Sequence, residues 1–299
     1  MNVMASLKSA INENILRKLD IAIVQRSGIL IEPTQQIRNV RIAFIHPPKC
    51  GGTSINRALS GRFGKNSTEN ARRSFHLNAR GSRKVSEAFG QHMDVVRGQL
   101  LAYALCDENF SFISGHFPFV NNVDDISIKN VENISTKWDY ITVLRNPYDR
   151  MLSLYYDNAF RESDRDHFGI SQPLEEWLET VEARGAATIF VRMFNGNVCE
   201  NVNIEKDLCD TEHLKYAVER SIKNLKKFSI VGDMKELGEF KKSFHDKYGL
   251  LIDIGHHMRN PKDDYTEFER QPTHIQDKIV KLCHEDREIS SAFFKPSQT

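Results

Sequence analysis

The chain has 299 residues, with 41 Lys and Arg against 40 Asp and Glu and 40% hydrophobic content. That apolar share at balanced charge excludes a disordered tail, a collagen-like fibre and a disulfide-knot miniprotein, and leaves one large domain or two ordinary ones. The longest uninterrupted apolar run, Leu100–Cys106, is far short of the ~20 residues a membrane-spanning helix needs, so no transmembrane span is expected.

Along the chain, Met1–Leu19 intersperses Lys8, Glu13, Arg17 and Lys18 among apolar positions. It lacks the continuous apolar core of a secretory signal and reads as an amphipathic helix, making residues 1–40 an N-terminal helical extension. A strand is expected at Arg41–His46 (RIAFIH), stopped by Pro47-Pro48, and a helix follows at Thr53–Leu59. From Arg57 to Lys84 the charge is basic, with Glu69 the lone acid, so one region is set to meet anions. Strands are expected at Phe110–Ser114, before Gly115, and at Trp138–Arg145, before Pro147, with a helix over Tyr148–Phe160. The stretch from Asp157 to Glu182 is acidic and reads as a solvated counterweight. Helical periodicity then marks Leu174–Phe194, Thr211–Leu225, Met234–Tyr248 and Thr273–Phe294, with a strand at Phe228–Val231. Strands alternating with helices point to an α/β fold: a P-loop-like parallel sheet with helices on both faces. No Pro/Gly/Ser linker divides residues 41–299, which are expected to form a single domain.

Five cysteines, odd in number and without CxxC spacing, indicate neither a zinc site nor a disulfide framework, and favour the cytoplasm. Cys199 and Cys209 flank a polar stretch and are the pair that could close a loop. The sequons at Asn66 and Asn133 carry no weight without a secretory route.

The chemistry concentrates in two segments. After the first strand, Pro47-Pro48-Lys49-Cys50-Gly51-Gly52-Thr53-Ser54 leads into a helix, a turn that aims backbone N–H groups and a helix N-terminus at one point. Gly51 and Gly52 allow close approach, Thr53 and Ser54 offer hydroxyls and Lys49 a full charge. The lysine precedes the glycines, so this is not the GxxxxGK[ST] loop of nucleotide triphosphatases. In the second segment, Arg145 closes a strand and Ser153 lies two turns along the next helix, giving a guanidinium fork and a hydroxyl for a second anion. Both stand at the carboxyl edge of one sheet, where open α/β sheets bind ligands.

These residues resemble the sulfotransferases that use 3′-phosphoadenosine 5′-phosphosulfate (PAPS), within them the carbohydrate branch that includes the heparan and uronyl 2-O-sulfotransferases. The family's P-K-x-G/A-G/S-T-S loop is matched by Pro48–Ser54, and its R-[ND]-P-x-x-R-x-x-S-x-Y segment by Arg145–Tyr155, in the same order. The resemblance runs from about Arg41 to Phe294. It implies that Lys49, Cys50, Gly51, Gly52, Thr53 and Ser54 hold the 5′-phosphosulfate and that Arg145 and Ser153 hold the 3′-phosphate. Arg259, in His257-Met258-Arg259-Asn260, matches a basic loop over the nucleotide, although Asp263-Asp264 departs from that pattern. His116, in Ser114-Gly115-His116, matches a Gly-His whose imidazole is the base, with His46 and His76 as competitors. Arg72, Arg73 and His76 are the acceptor contacts implied by family and charge.

The expected activity is metal-independent sulfuryl transfer from PAPS to a hydroxyl of a carbohydrate-type acceptor, possibly acidic, in a cytoplasmic and bacterial setting. Lys49 would offset charge on the departing phosphate oxygen and His116 would take the hydroxyl proton. No His/Cys/Asp cluster has metal-ligand spacing. Two rivals stay open: a P-loop-like small-molecule kinase, which would require Mg²⁺, and a silent nucleotide-binding module. Nucleic-acid binding is not expected, because the basic stretch carries few interleaved aromatics. The oligomeric state stays open.

Overall fold

The computed structural model describes residues 22–23, 30–31, 40–63, 73–120, 138–159, 169–255 and 267–294. The helix expected at Met1–Leu19 lies outside them. In the expected helical extension, Ala22–Ile23 (β1) instead pairs antiparallel with Leu30–Ile31 (β2).

Five parallel strands form the main sheet, in the order β4-β5-β3-β6-β7. They are β3 (Ile42–Ile45), β4 (Arg73–His76), β5 (Phe110–Gly115), β6 (Asp139–Leu144) and β7 (Ile230–Asp233). The sheet is α/β and all-parallel, as the alternation of strands and helices predicted. Period-two alternation sends successive side chains to opposite faces. Ala43 and Ile45 join one buried cluster with Leu101, Leu105, Phe190, Val218 and Ile289. Ile42 and Phe44 join another with Ile55, Leu59, Phe240 and Phe244. Such two-sided burial accounts for strands that read as unbroken apolar runs.

Helix α1 (Gly52–Phe63) starts from the glycine loop, and α2 (Ala79–Phe89) and α3 (Met93–Cys106) bridge β4 to β5. The expectation from sequence omits β4, α2 and α3. Asn78 caps α2 by accepting the Gly81 N–H at 2.8 Å, and Gly90, at φ 61°, ends it. Helix α4 (Pro147–Ala159) follows β6. The helix expected over Leu174–Phe194 is three short ones, α5 (Leu174–Trp177), α6 (Val181–Ala187) and α7 (Ile189–Phe194). Thr180 interrupts it by capping Ala183 N–H with its own hydroxyl at 3.2 Å. Next come α8 (Asn201–Glu205), α9 (Thr211–Leu225) and α10 (Leu237–Tyr248). Thr273–Phe294 is likewise divided, at Cys283, into α11 (Thr273–Leu282) and α12 (His284–Ser291). No disulfide joins any two of the five cysteines, Cys199 and Cys209 included. Among the described residues, no helix is long and apolar enough to cross a membrane.

Candidate functional site

The carboxyl ends of β3, β5 and β6 converge on the loop His46–Gly51. Lys49 holds φ 67° and Gly51 φ 70°, both left-handed, so the loop reverses sharply before α1 begins at Gly52. For Lys49 that region costs on the order of 1–2 kcal/mol, a strain that accumulates at functional sites. The first N–H groups of α1 have no intrahelical acceptor and carry the positive end of the helix dipole. Gly51 and Gly52 permit this path through close approach. A Cβ on Gly51 would strike the Met234 side chain, and one on Gly52 would overlap the His46 ring.

Cys50 is a core residue. Its thiol is fully buried, and burial pushes its pKa up to about 12 although Arg150 and Arg145 oppose that shift. Only its backbone is left for an anion. Arg145 lies near enough to act on this thiol, which places the second segment beside the first. Arg145 follows β6, the direct neighbour of β3. Its guanidinium makes no hydrogen bond or ion pair among the described residues, although Asp149 lies near enough to feel its charge. Ser153, half-buried on α4, likewise has no hydrogen bond among them, and Thr53 is exposed. The second arginine of the segment, Arg150, is wholly buried. It donates to the Ala186 carbonyl and lies 3.9 Å from Asp286, so it braces α4 against α6 and α12.

Three imidazoles stand at three neighbouring strand ends. His116 follows β5 and donates Nδ1–H to the His46 carbonyl at 2.8 Å, the hydrogen-bonding arrangement that leaves Nε2 unprotonated. Burial, helped by Arg97, His76 and Lys49, brings its pKa down to about 4. His46 is buried, and neither ring nitrogen meets a hydrogen-bonding partner within bonding geometry among the described residues. Its ring meets that of His116 edge-on at 4.6 Å. Burial first, then His116, hold it well below the usual imidazole range. His76 ends β4, with Nδ1 2.9 Å from Ser114 Oγ, and burial lowers its pKa too. A cavity of about 430 Å³ opens among His46, His76, Leu77, Asn78, Arg80 and His116.

The structure thus sets Lys49, Gly51, Gly52, Thr53, Ser54, Arg145, His46, His76 and His116 at or just past the carboxyl ends of four neighbouring strands, with Ser153 on the helix that follows Arg145. Arg73 begins β4, and its side chain lies outside the described residues. Arg72 and Arg259 lie outside the described residues. Sequence reasoning missed Arg80 at the cavity, Met234 against Gly51, and Asp157, whose carboxylate meets Lys49 at 3.2 Å. The resemblance covers His76 but not the strand that aims it. Among the described residues, no group of three or more His, Cys, Asp or Glu is placed to hold a metal ion. No family model matches the chain, and no curated protein matches it significantly.

Proposed function

We propose that the protein is a sulfotransferase moving the sulfuryl group of PAPS to a hydroxyl of a carbohydrate-type acceptor. One observation carries this reading: a loop of N–H groups with Lys49, and an Arg145 whose guanidinium has no hydrogen bond or ion pair among the described residues, occupy adjacent strand ends, next to a histidine whose bonded Nδ1 leaves Nε2 to accept a proton. The residues present suit such a donor. Glycine loop, Lys49, Thr53 and Ser54 match a 5′-anion, while Arg145 and Ser153 match a second phosphate about one strand spacing away.

When bound, the donor supplies the activated sulfuryl group and the phosphate leaving group. The chain's part is then specific. The acceptor occupies the histidine-lined cavity, and His116 Nε2 takes its hydroxyl proton as the oxygen attacks. A general base so placed is worth roughly 10² to 10⁴-fold. Lys49 faces the charge that develops on the departing oxygen, the role in which fixed electrostatic groups supply the largest catalytic share. Arg80 and His76 at the cavity suit a polyhydroxylated or acidic acceptor. Five cysteines with no disulfide among them are in keeping with a cytoplasmic setting.

Thermal shift tests the reading directly. 3′-Phosphoadenosine 5′-phosphate (PAP), at 100 times its dissociation constant and without metal, is expected to add about 2.7 kcal/mol of stability. Stabilisation by ATP with Mg²⁺ and none by PAP would overturn the sulfotransferase in favour of a kinase.

A further inference from the structure

The anion loop carries one contact that its proposed chemistry does not call for. Lys49 Nζ lies 3.2 Å from Asp157 Oδ2, with the side chains 25% and 26% exposed. Asp157 stands one turn beyond Ser153 on α4, so the two share a helix face. A carboxylate is therefore set among the lysine, hydroxyls and N–H groups that would hold a phosphate. Its charge opposes any arriving anion, and at partial exposure that opposition is felt without being prohibitive. The pair also ties the glycine loop, through a lysine held at φ 67°, to the last turn of α4, just past the second signature segment.

We propose that Asp157 is a positioning residue that holds Lys49 aside in the empty enzyme, so that the nucleotide's 5′-anion must take the lysine from it. The inference rests on the sulfotransferase reading for the identity of that anion. Its consequence is selection by charge. A 5′-phosphate near two negative charges at neutral pH, or a 5′-phosphosulfate with one charge on each of its two groups, outcompetes one carboxylate, whereas a singly charged ester or chloride does not. Lys49 then meets the leaving oxygen only when the donor is seated.

A double-mutant cycle on PAP affinity, measured by calorimetry at pH 7.5, separates this role from simple repulsion. Asp157→Asn is expected to tighten PAP roughly three- to fivefold while Lys49 is present, the size of effect a partly exposed pair allows. In the Lys49→Ala background the same change is expected to gain less than twofold, because no lysine remains to be released. Asp157→Glu keeps the charge and is expected to bind PAP close to the wild-type value. Equal tightening in both backgrounds would reduce Asp157 to a through-space charge and overturn the proposal. So would unchanged or weakened PAP binding in a folded Asp157→Asn protein. Failure of the wild type itself to bind PAP is a different result, which removes the sulfotransferase reading and the proposal together.

Discussion

Two groups of charged side chains in this protein are built to opposite rules. Where α3 meets α7 and α8, Asp94 Oδ2 accepts from Arg192 Nε at 3.1 Å, Arg192 Nη2 at 2.9 Å and Asn201 Nδ2 at 2.9 Å. Arg192 Nη1 reaches the Gly185 carbonyl at 3.2 Å and Glu205 at 3.3 Å, and Glu205 in turn accepts from His92 Nε2 at 2.8 Å. Burial would push the Asp94 carboxyl up, yet Arg192 beside it holds it below the usual range. At the anion loop the arrangement is reversed: Arg145 has no partner among the described residues, His46 has two unbonded ring nitrogens, and His116 uses one nitrogen of two. Charges that close on one another hold elements together. Polar groups left open at the end of a sheet hold something that is not part of the chain.

The comparison is broken most forcefully at Asp94. Asp94→Ala leaves Arg192 buried with one carboxylate fewer, and is expected to cost about 3–5 kcal/mol of stability by denaturant unfolding. A loss under about 1 kcal/mol would mean that the closed cluster is not structural.

His116→Gln comes next. The fold is expected to persist while turnover at saturating donor and acceptor falls by roughly two decades or more, about 2.7 kcal/mol in barrier. Acid titration sharpens the point, with the sign fixed by the direction of the shift. A folded imidazole at about 4 stays unprotonated above that value, so the rate is expected to hold through pH 6 and fall only toward pH 4. The unfolded ring, at its ordinary 6.5, takes up a proton first, so stability is expected to decline from pH 6.5 to 4, and less steeply in the variant. A rate midpoint near 6.5 would contradict the buried, bonded ring.

Arg145→Ala has the smallest effect on the fold. Stability is expected to stay within about 0.5 kcal/mol, as for a surface change away from packed features, while PAP affinity drops at least tenfold, about 1.4 kcal/mol. A destabilisation as large as that of Asp94→Ala would move Arg145 into the structural class.

Legibility in the sequence followed burial. β3 and β6 lie within a residue of their expected ends at both termini, because β-branched and aromatic runs closed by proline leave few alternatives. β4 is Arg-Ser-Phe-His, with one apolar side chain. It is a strand only because it lies along β5, and its register shifts between Arg73 and Ser74. Helix α3 buries Asp94, Arg97 and Gly98 beside Leu101 and Leu105, so no clean apolar stripe marks it. The loop and the Arg145 segment were readable because their residue types are costly anywhere else. The cavity was not, since it needs β4 to carry His76 alongside His116. The pairing of Lys49 with Asp157 was hidden in an acidic stretch that composition alone describes as solvated.

The strand order has a consequence for how the chain is made. The ribosome delivers β3, β4 and β5 first, and with them all three imidazoles, while Arg145 and Ser153 emerge only with β6 and α4. Until β6 arrives, β3 is paired with β5 on one side and bare on the other, a parallel edge of Ile-Ala-Phe-Ile open to other nascent chains. The same docking step that covers this edge brings Arg145 beside Cys50. A chain stopped after β5 would carry the glycine loop and the three imidazoles without Arg145 and Ser153, with an exposed edge to mark it for aggregation or proteolysis.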